Sequence, residues 1–194
     1  MSTERIQNID HHEEIAYNGR KFRSKLELKT AETLDALGIP YSYEERKIEL
    51  LEGFRSPYQK DKVRSITYTP DFTIGPLMIE CKGFETPEWK LKKKLVFKWL
   101  QENEPDTIFY QIHDARKQLL EVLDRHWAYL GMAVKVTSKP TRKQPSVRRM
   151  YDSVEEALND LNLKGVHLGA VMSSIIGKRE YVKGYKFELV KLTL

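Results

Sequence analysis

Residues 69–83, TPDFTIGPLMIECKG, constrain the fold more than any other stretch of the chain. Apolar runs on either side of the turn pair Gly75-Pro76 read as a β-hairpin, with strands at about 66–73 and 77–82. Side chains alternate across a strand, so Glu80 and Lys82 share one face while Ile79 and Cys81 share the other. A hairpin turning at Gly75-Pro76 brings Asp71 opposite Glu80. Three ionisable groups thereby converge inside an apolar ribbon, where a charge left unpaired costs several kcal/mol. The chain must fold so as to give them a partner.

The elements around this hairpin are legible from periodicity. Leu26, Thr30, Leu34 and Leu37 recur at helical steps before Gly38 and Pro40, which predicts a helix over about 24–37. YSYEERKIELL predicts a strand and GFRSPYQKDKVRS a polar loop. Residues 87–101 predict a second helix with Leu91, Leu95, Val96 and Trp99 on one side and lysines on the other. DTIFYQIH, ARKQLLEVLDRHWAYL and MAVKV predict a strand, a helix and a short last strand. The order is helix, three strands, helix, strand, helix, strand, which makes one mixed α/β layer fold. Residues 1–15, with His11 and His12, read as a polar tail, residues 16–136 as the core and residues 137–146 as a basic linker. Residues 147–194 form a small appended unit: Ser153 and Glu156 make a capping box, a second short helix spans about 166–176, and YVKGYKFELVKL alternates as a strand.

Composition narrows the function classes. Cys81 is the only cysteine, which excludes a disulfide framework or a cysteine-cluster zinc site and suits a reducing compartment, so a cytoplasmic location is expected. No apolar run approaches the roughly 20 residues of a membrane span, and nothing glycine-rich resembles a nucleotide-binding loop. The 33 Lys and Arg exceed the 28 Asp and Glu only modestly, but they are concentrated in KVTSKPTRKQPSVRR and WKLKKKLVFKW. Such stripes favour a polyanion, although each on its own also suits a solvated surface.

Two carboxylates a few ångströms apart repel unless a proton or cation lies between them, and hard oxygen donors of this kind suit Mg²⁺ that keeps several waters, with Mn²⁺ able to substitute. A lysine beside such a pair can hold an attacking water and neutralise charge that develops on a phosphate. Asp71, Glu80 and Lys82 therefore suit phosphodiester hydrolysis; a purely structural Glu–Lys or Asp–Lys pair suits the same spacing. Glu44, Glu45 and His113 are weaker candidates, better read as surface or structural residues.

Pro70-Asp71 followed by Glu80-Cys81-Lys82 resembles the signature of the PD-(D/E)XK nuclease superfamily. FRSKLE, LGIPYSYEE, YTPDF and IECKG are similar to phage endonuclease I and related phage nucleases, over about residues 17–136. The resemblance implies a restriction-endonuclease-like mixed β-sheet flanked by helices, Mg²⁺-dependent cleavage of double-stranded DNA to 5′-phosphate and 3′-hydroxyl ends, and a phage or mobile element as source. It also implies a metal site of Asp71, Glu80 and the backbone carbonyl of Cys81, completed by Glu27 on the first helix. Ser24-Lys25-Leu26-Glu27 is equally a capping box, which gives Glu27 a structural alternative.

RRMYDSVEEALNDLNL and the later IIGKRE and GYKFELV resemble the nuclease-associated modular domain of homing endonucleases, which implies a small helix-turn-helix-like DNA-binding module. On that reading His167, Ser173 and Ser174 reach bases. Lys178, Arg179, Lys183 and Lys186, with Arg142, Lys143, Arg148 and Arg149, contact phosphates, and Lys90 and Lys93 (with Lys92, Lys94 and Lys98) track the backbone from the core. The function expected is a site-specific, homing-type endonuclease. The alternatives are a four-way junction-resolving endonuclease, a catalytically silent DNA-binding regulator and a transposase-type partner active only in a complex. Cutting both strands makes a homodimer attractive on geometry.

Overall fold

The computed structural model describes residues 15–192. The expected tail, with His11 and His12, lies outside the described residues apart from Ile15, which starts the first strand. The chain forms β1 (Ile15–Tyr17), β2 (Arg20–Phe22), α1 (Lys25–Ala36), β3 (Ser42–Tyr43), β4 (Ile48–Leu51), β5 (Ile66–Tyr68), β6 (Phe72–Ile74), β7 (Leu77–Cys81), α2 (Pro87–Asn103) and β8 (Ile108–Ile112). It continues through α3 (Gln118–His126), a 3₁₀ turn, β9 (Met132–Ser138), β10 (Arg148–Tyr151), α4 (Val154–Asp160), α5 (Leu168–Ile175) and β11 (Tyr185–Lys191). This is a mixed α/β fold, as the sequence predicts.

The central sheet has the order β3-β6-β7-β8, antiparallel except where β8 runs parallel to β7. Its β6–β7 hairpin turns at Gly75, whose φ of +53° is the left-handed value a two-residue turn needs at its first central position. Alternation then divides the sheet into two faces. Phe72, Ile74, Leu77, Ile79, Cys81 and Ile112 face α1 and α3 in the larger apolar cluster. Met78 faces α2 and β4–β5 in the smaller one, with Ile48, Tyr68, Trp89, Val96 and Leu100. Along α2 the buried line is Trp89, Val96 and Leu100, whereas Leu91, expected inward, is 64% exposed. The helix is rotated so that Trp89 lies in this buried line and Trp99 only at its margin.

Two predicted strands are each broken in two. YSYEERKIELL divides into β3 and β4 around Glu44, whose φ of +50° turns the chain, so β3 pairs with β6 and β4 with β5. The strand over 66–73 divides at Pro70, which has no N–H to offer a ladder. A further hairpin, β1–β2, was not predicted; Asn18 and Gly19 both take positive φ in its turn, as an Asn-Gly hairpin requires.

The largest correction concerns β9. It was expected to close the core but pairs with no strand of the central sheet; it is the middle strand of a second sheet, β10-β9-β11. Residues 137 and 138 belong to β9, and the expected basic linker is the connection of the β9–β10 hairpin. Val134 and Val136 of β9, Tyr151, Val154, Val171, Met172 and Phe187 all belong to the same cluster as the central sheet. The C-terminal segment is thus built onto the core. Asp124 of α3 fastens it: its buried carboxylate accepts the N–H groups of Val154 (2.7 Å) and Glu155 (3.1 Å) at the start of α4, and the indole N–H of Trp127 (2.9 Å). No helix among the described residues is long and apolar enough to cross a membrane.

Candidate active site

The ladder of β6 and β7 pairs Phe72 with Ile79 and Ile74 with Leu77, so Asp71 and Glu80 occupy the next rung. That rung carries a side-chain bond in place of a backbone one: Asp71 Oδ2 accepts the N–H of Cys81 at 2.6 Å. Since Phe72 and Ile74 face α1 and α3, alternation directs Asp71 to the α2 side, the side of Glu80 and Lys82. Burial raises Asp71 far above the usual carboxylate range, and the neighbouring Glu80 charge raises it further, against the Cys81 N–H.

Glu80 is 4% exposed. Tyr68 donates its hydroxyl to Glu80 Oε2 at 2.9 Å, and Lys82 Nζ lies 3.4 Å from Oε1. Burial raises the Glu80 carboxyl, and Tyr68 and Lys82 oppose that rise. The Lys82 ammonium also sits over the Trp89 ring, 5.0 Å from its centroid, at the solvent-facing edge of the group. Cys81 turns its thiol to the opposite face, 3.5 Å from Thr30 Oγ1, and burial pushes that thiol up, so it is not a nucleophile. The N–H of Lys82 bonds across to Ile112 on β8 and that of Cys81 points to Asp71. A residue's N–H and C=O lie on the same side of a strand, so the Cys81 carbonyl also points toward Asp71.

Glu27 makes the capping box with Ser24. Ser24 accepts from the Glu27 N–H at 3.1 Å, while the Glu27 carboxylate accepts from Ser24 Oγ at 2.7 Å, the Arg23 N–H at 2.9 Å and the Tyr43 hydroxyl at 2.6 Å. Its charge still contributes to the rise at Asp71. The capping box thus places Glu27 near the pair with its oxygens occupied. Glu44 and Glu45 pair at the surface with Arg23 (3.0 Å) and Arg20 (3.9 Å).

Three residues of the site escaped sequence reasoning: Tyr68, Trp89 and Gln111. Gln111 is the β8 neighbour of Glu80. Its Oε1 accepts from Trp89 Nε1 at 2.8 Å and from Lys93 Nζ at 3.1 Å, which fixes the amide so that Nε2 donates to His113 Nε2 at 3.3 Å. His113 then carries its proton on Nδ1 and donates to the Lys82 carbonyl. A polar amide and a histidine two apart in the otherwise apolar DTIFYQIH were the available signal.

The cationic candidates separate into free and engaged. Lys93 is held by Glu85 and Gln111, and Lys98 pairs with Glu102. Lys90 and Lys94 are exposed and Lys92 is half-buried. Arg142, Lys143 and Arg148 lie on the fully exposed β9–β10 connection and its edge, and Lys178, Arg179 and Lys183 are exposed on the α5–β11 loop. Lys139 joins the two segments, its ammonium 5.4 Å from the Tyr181 ring centroid. Arg149 pairs with Asp160 (2.7 Å) and Lys186 with Glu188 (3.4 Å). His167 is exposed at the N-cap of α5 and Ser173 bonds back to the Gly169 carbonyl at 2.9 Å. Ser174 is 5% exposed and donates to the Glu180 carbonyl of the α5–β11 loop.

Among the described residues no three His, Cys, Asp or Glu side chains close around a common point. Comparison with protein-family models, with curated proteins and with solved structures gives no match.

Proposed function

We propose that the chain is a Mg²⁺-dependent endodeoxyribonuclease with a restriction-endonuclease-like core, in which Asp71, Glu80 and the Cys81 carbonyl hold the cation and Lys82 serves the attacking water. The observation that carries this reading is that the hairpin register sets a half-buried Asp71 opposite a buried Glu80, each raised by burial, beside an ammonium at the solvent edge. Carboxylates of this kind gain most from a divalent cation, and three oxygen donors with room for water suit Mg²⁺ or Mn²⁺. The ion, when bound, stabilises charge on the phosphate and acidifies a water. The protein's own groups do the rest: the Cys81 N–H orients Asp71, Tyr68 orients Glu80, and the Trp89 face and the His113 bond to its carbonyl fix where Lys82 extends. Glu27 acts here through α1, whose first turn it locks.

The C-terminal segment supplies the duplex contacts in this reading. The pair α4 and α5 forms a helix-turn-helix-like unit, but α5 is LGAVMSSI and offers no charged or amide side chain, which leaves His167 and Ser173 for base edges. Free basic residues on the β9–β10 connection and the α5–β11 loop hold phosphates. Site-specific cleavage follows from a core that cuts and a segment that addresses. The test is nicking of supercoiled plasmid in Mg²⁺: we expect cleavage that EDTA and Lys82→Ala both abolish, and cleavage surviving either overturns the mechanism. A second reading, DNA binding without cutting, is favoured by the occupied oxygens of Glu27. Tight binding with no nicking in Mg²⁺ or Mn²⁺ would establish it.

A further inference from the structure

One groove joins the two halves of the molecule and is lined by none of Asp71, Glu80 and Lys82. It is lined by Lys29 of α1, Arg116 of the β8–α3 loop and Lys178 of the α5–β11 loop, about an apolar floor that includes Leu120 and Met172, and it encloses about 510 Å³. Three cations from three distant segments are brought together there by the docking of the C-terminal segment on α1 and α3. Like charges so gathered repel, and none of the three makes an ion pair among the described residues. Two acids are near. Glu32 lines the groove without bridging to any of them. Asp114 is held by the N–H groups of Arg116 (2.6 Å) and Lys117 (3.2 Å), and feels the charges of Arg116 and Lys29.

The place of the groove gives it a ligand. Arg116 lies on the loop that leaves β8 at His113, which bonds to the carbonyl of Lys82. Lys178 opens the loop that carries Arg179 and Lys183 and that Lys139 ties to the exposed basic hairpin. The groove thus adjoins both the loop that leaves β8 at His113 and the exposed basic loop after α5. We propose that the Lys29–Arg116–Lys178 groove is a phosphate-binding site for the backbone of the DNA duplex, continuous with the basic α5–β11 loop. The site rests on the reading of the protein as DNA-binding and is independent of whether it cuts.

Binding measured by fluorescence anisotropy in EDTA, over a series of salt concentrations, tests it without cleavage. Each phosphate contact contributes about 0.9 to the slope of log K against log salt on duplex DNA. The double variant Lys29→Ala/Arg116→Ala is expected to lower that slope by about 1.8, to the same extent on unrelated duplex sequences, and Lys29→Arg/Arg116→Lys to restore it. Lys191→Ala, exposed and away from the groove, is the control and should leave the slope unchanged. An unaltered slope in the double variant, with wild-type DNA binding intact, overturns the groove. Absence of any DNA binding by the wild type would sink the DNA reading and the groove together, whereas a lowered slope in a protein that does not nick plasmid upholds the groove and rejects only the nuclease.

Discussion

Tyr68 shows how much of this site depends on one hydroxyl. It is 2% exposed, lies tilted against Trp89 and donates to a carboxyl that burial raises. Tyr68→Phe leaves the Glu80 oxygen short of a donor at a cost of about 1–3 kcal/mol if it stays ionised, so Glu80 keeps its proton to higher pH. The expected result is a pH–rate profile of nicking whose acid limb moves to higher pH, with near-wild-type rates recovered in alkali. Lys82→Ala should lower the nicking rate at least about a hundredfold and, by taking the cation from the buried Glu80 Oε1, favour the protonated carboxyl there. Asp71, Glu80 and Lys82 were readable in the sequence because a strand's alternation and a Gly-Pro turn fix their mutual register locally. Tyr68 and Gln111 were not, since their partners lie across strand pairings that no local spacing specifies. For Glu27 the sequence offered two roles, and the capping box took its oxygens.

Elements carry the next level of the account. Asp124 gives three donors their acceptor in a buried position, two of them the first N–H groups of α4. Asp124→Ala should destabilise the protein by about 3 kcal/mol or more and loosen α4 first, which amide hydrogen exchange at Val154 and Glu155 would register; exchange unchanged there contradicts the assigned role. At the tip of the β6–β7 hairpin, Gly75→Ala puts a Cβ at φ +53°, where Leu130 Cδ2 is already 3.5 Å away. A loss of about 1–2 kcal/mol in chemical denaturation is expected from the backbone conformation alone. Helices α1 and α2 and the hairpin were visible from caps, periodicity and turn residues. The breaks at Glu44 and Pro70 were not, because the apolar alternation continues across both.

The whole molecule departs from the division into core, linker and module that composition suggests. TSKPTRKQPS has the residues of a linker, yet it connects two strands whose pairing is set by Val134, Val136 and Tyr151 in the shared core. Removal of residues after 146 therefore exposes β9 on two edges and part of the main cluster, and we expect such a fragment not to fold. The intact chain should unfold in one calorimetric transition, and two separated transitions would restore the two-unit picture. Acidity acts on the same scale. Burial raises Asp71 and Glu80 in the folded state, so between the ordinary carboxylate range and neutrality the unfolded chain binds fewer protons. Stability in EDTA should accordingly fall as pH rises through that window, and Asp71→Asn should flatten the trend in melting temperature.

In the proposed mechanism a divalent cation belongs between Asp71 and Glu80. Calorimetric titration of the protein with Mn²⁺ near neutral pH, repeated in two buffers of different ionisation enthalpy, measures both binding and the protons displaced. The account predicts one site per chain whose occupancy releases protons from the carboxylate pair, lost in Asp71→Asn. Saturation without proton release, or no binding at millimolar Mn²⁺, would contradict it.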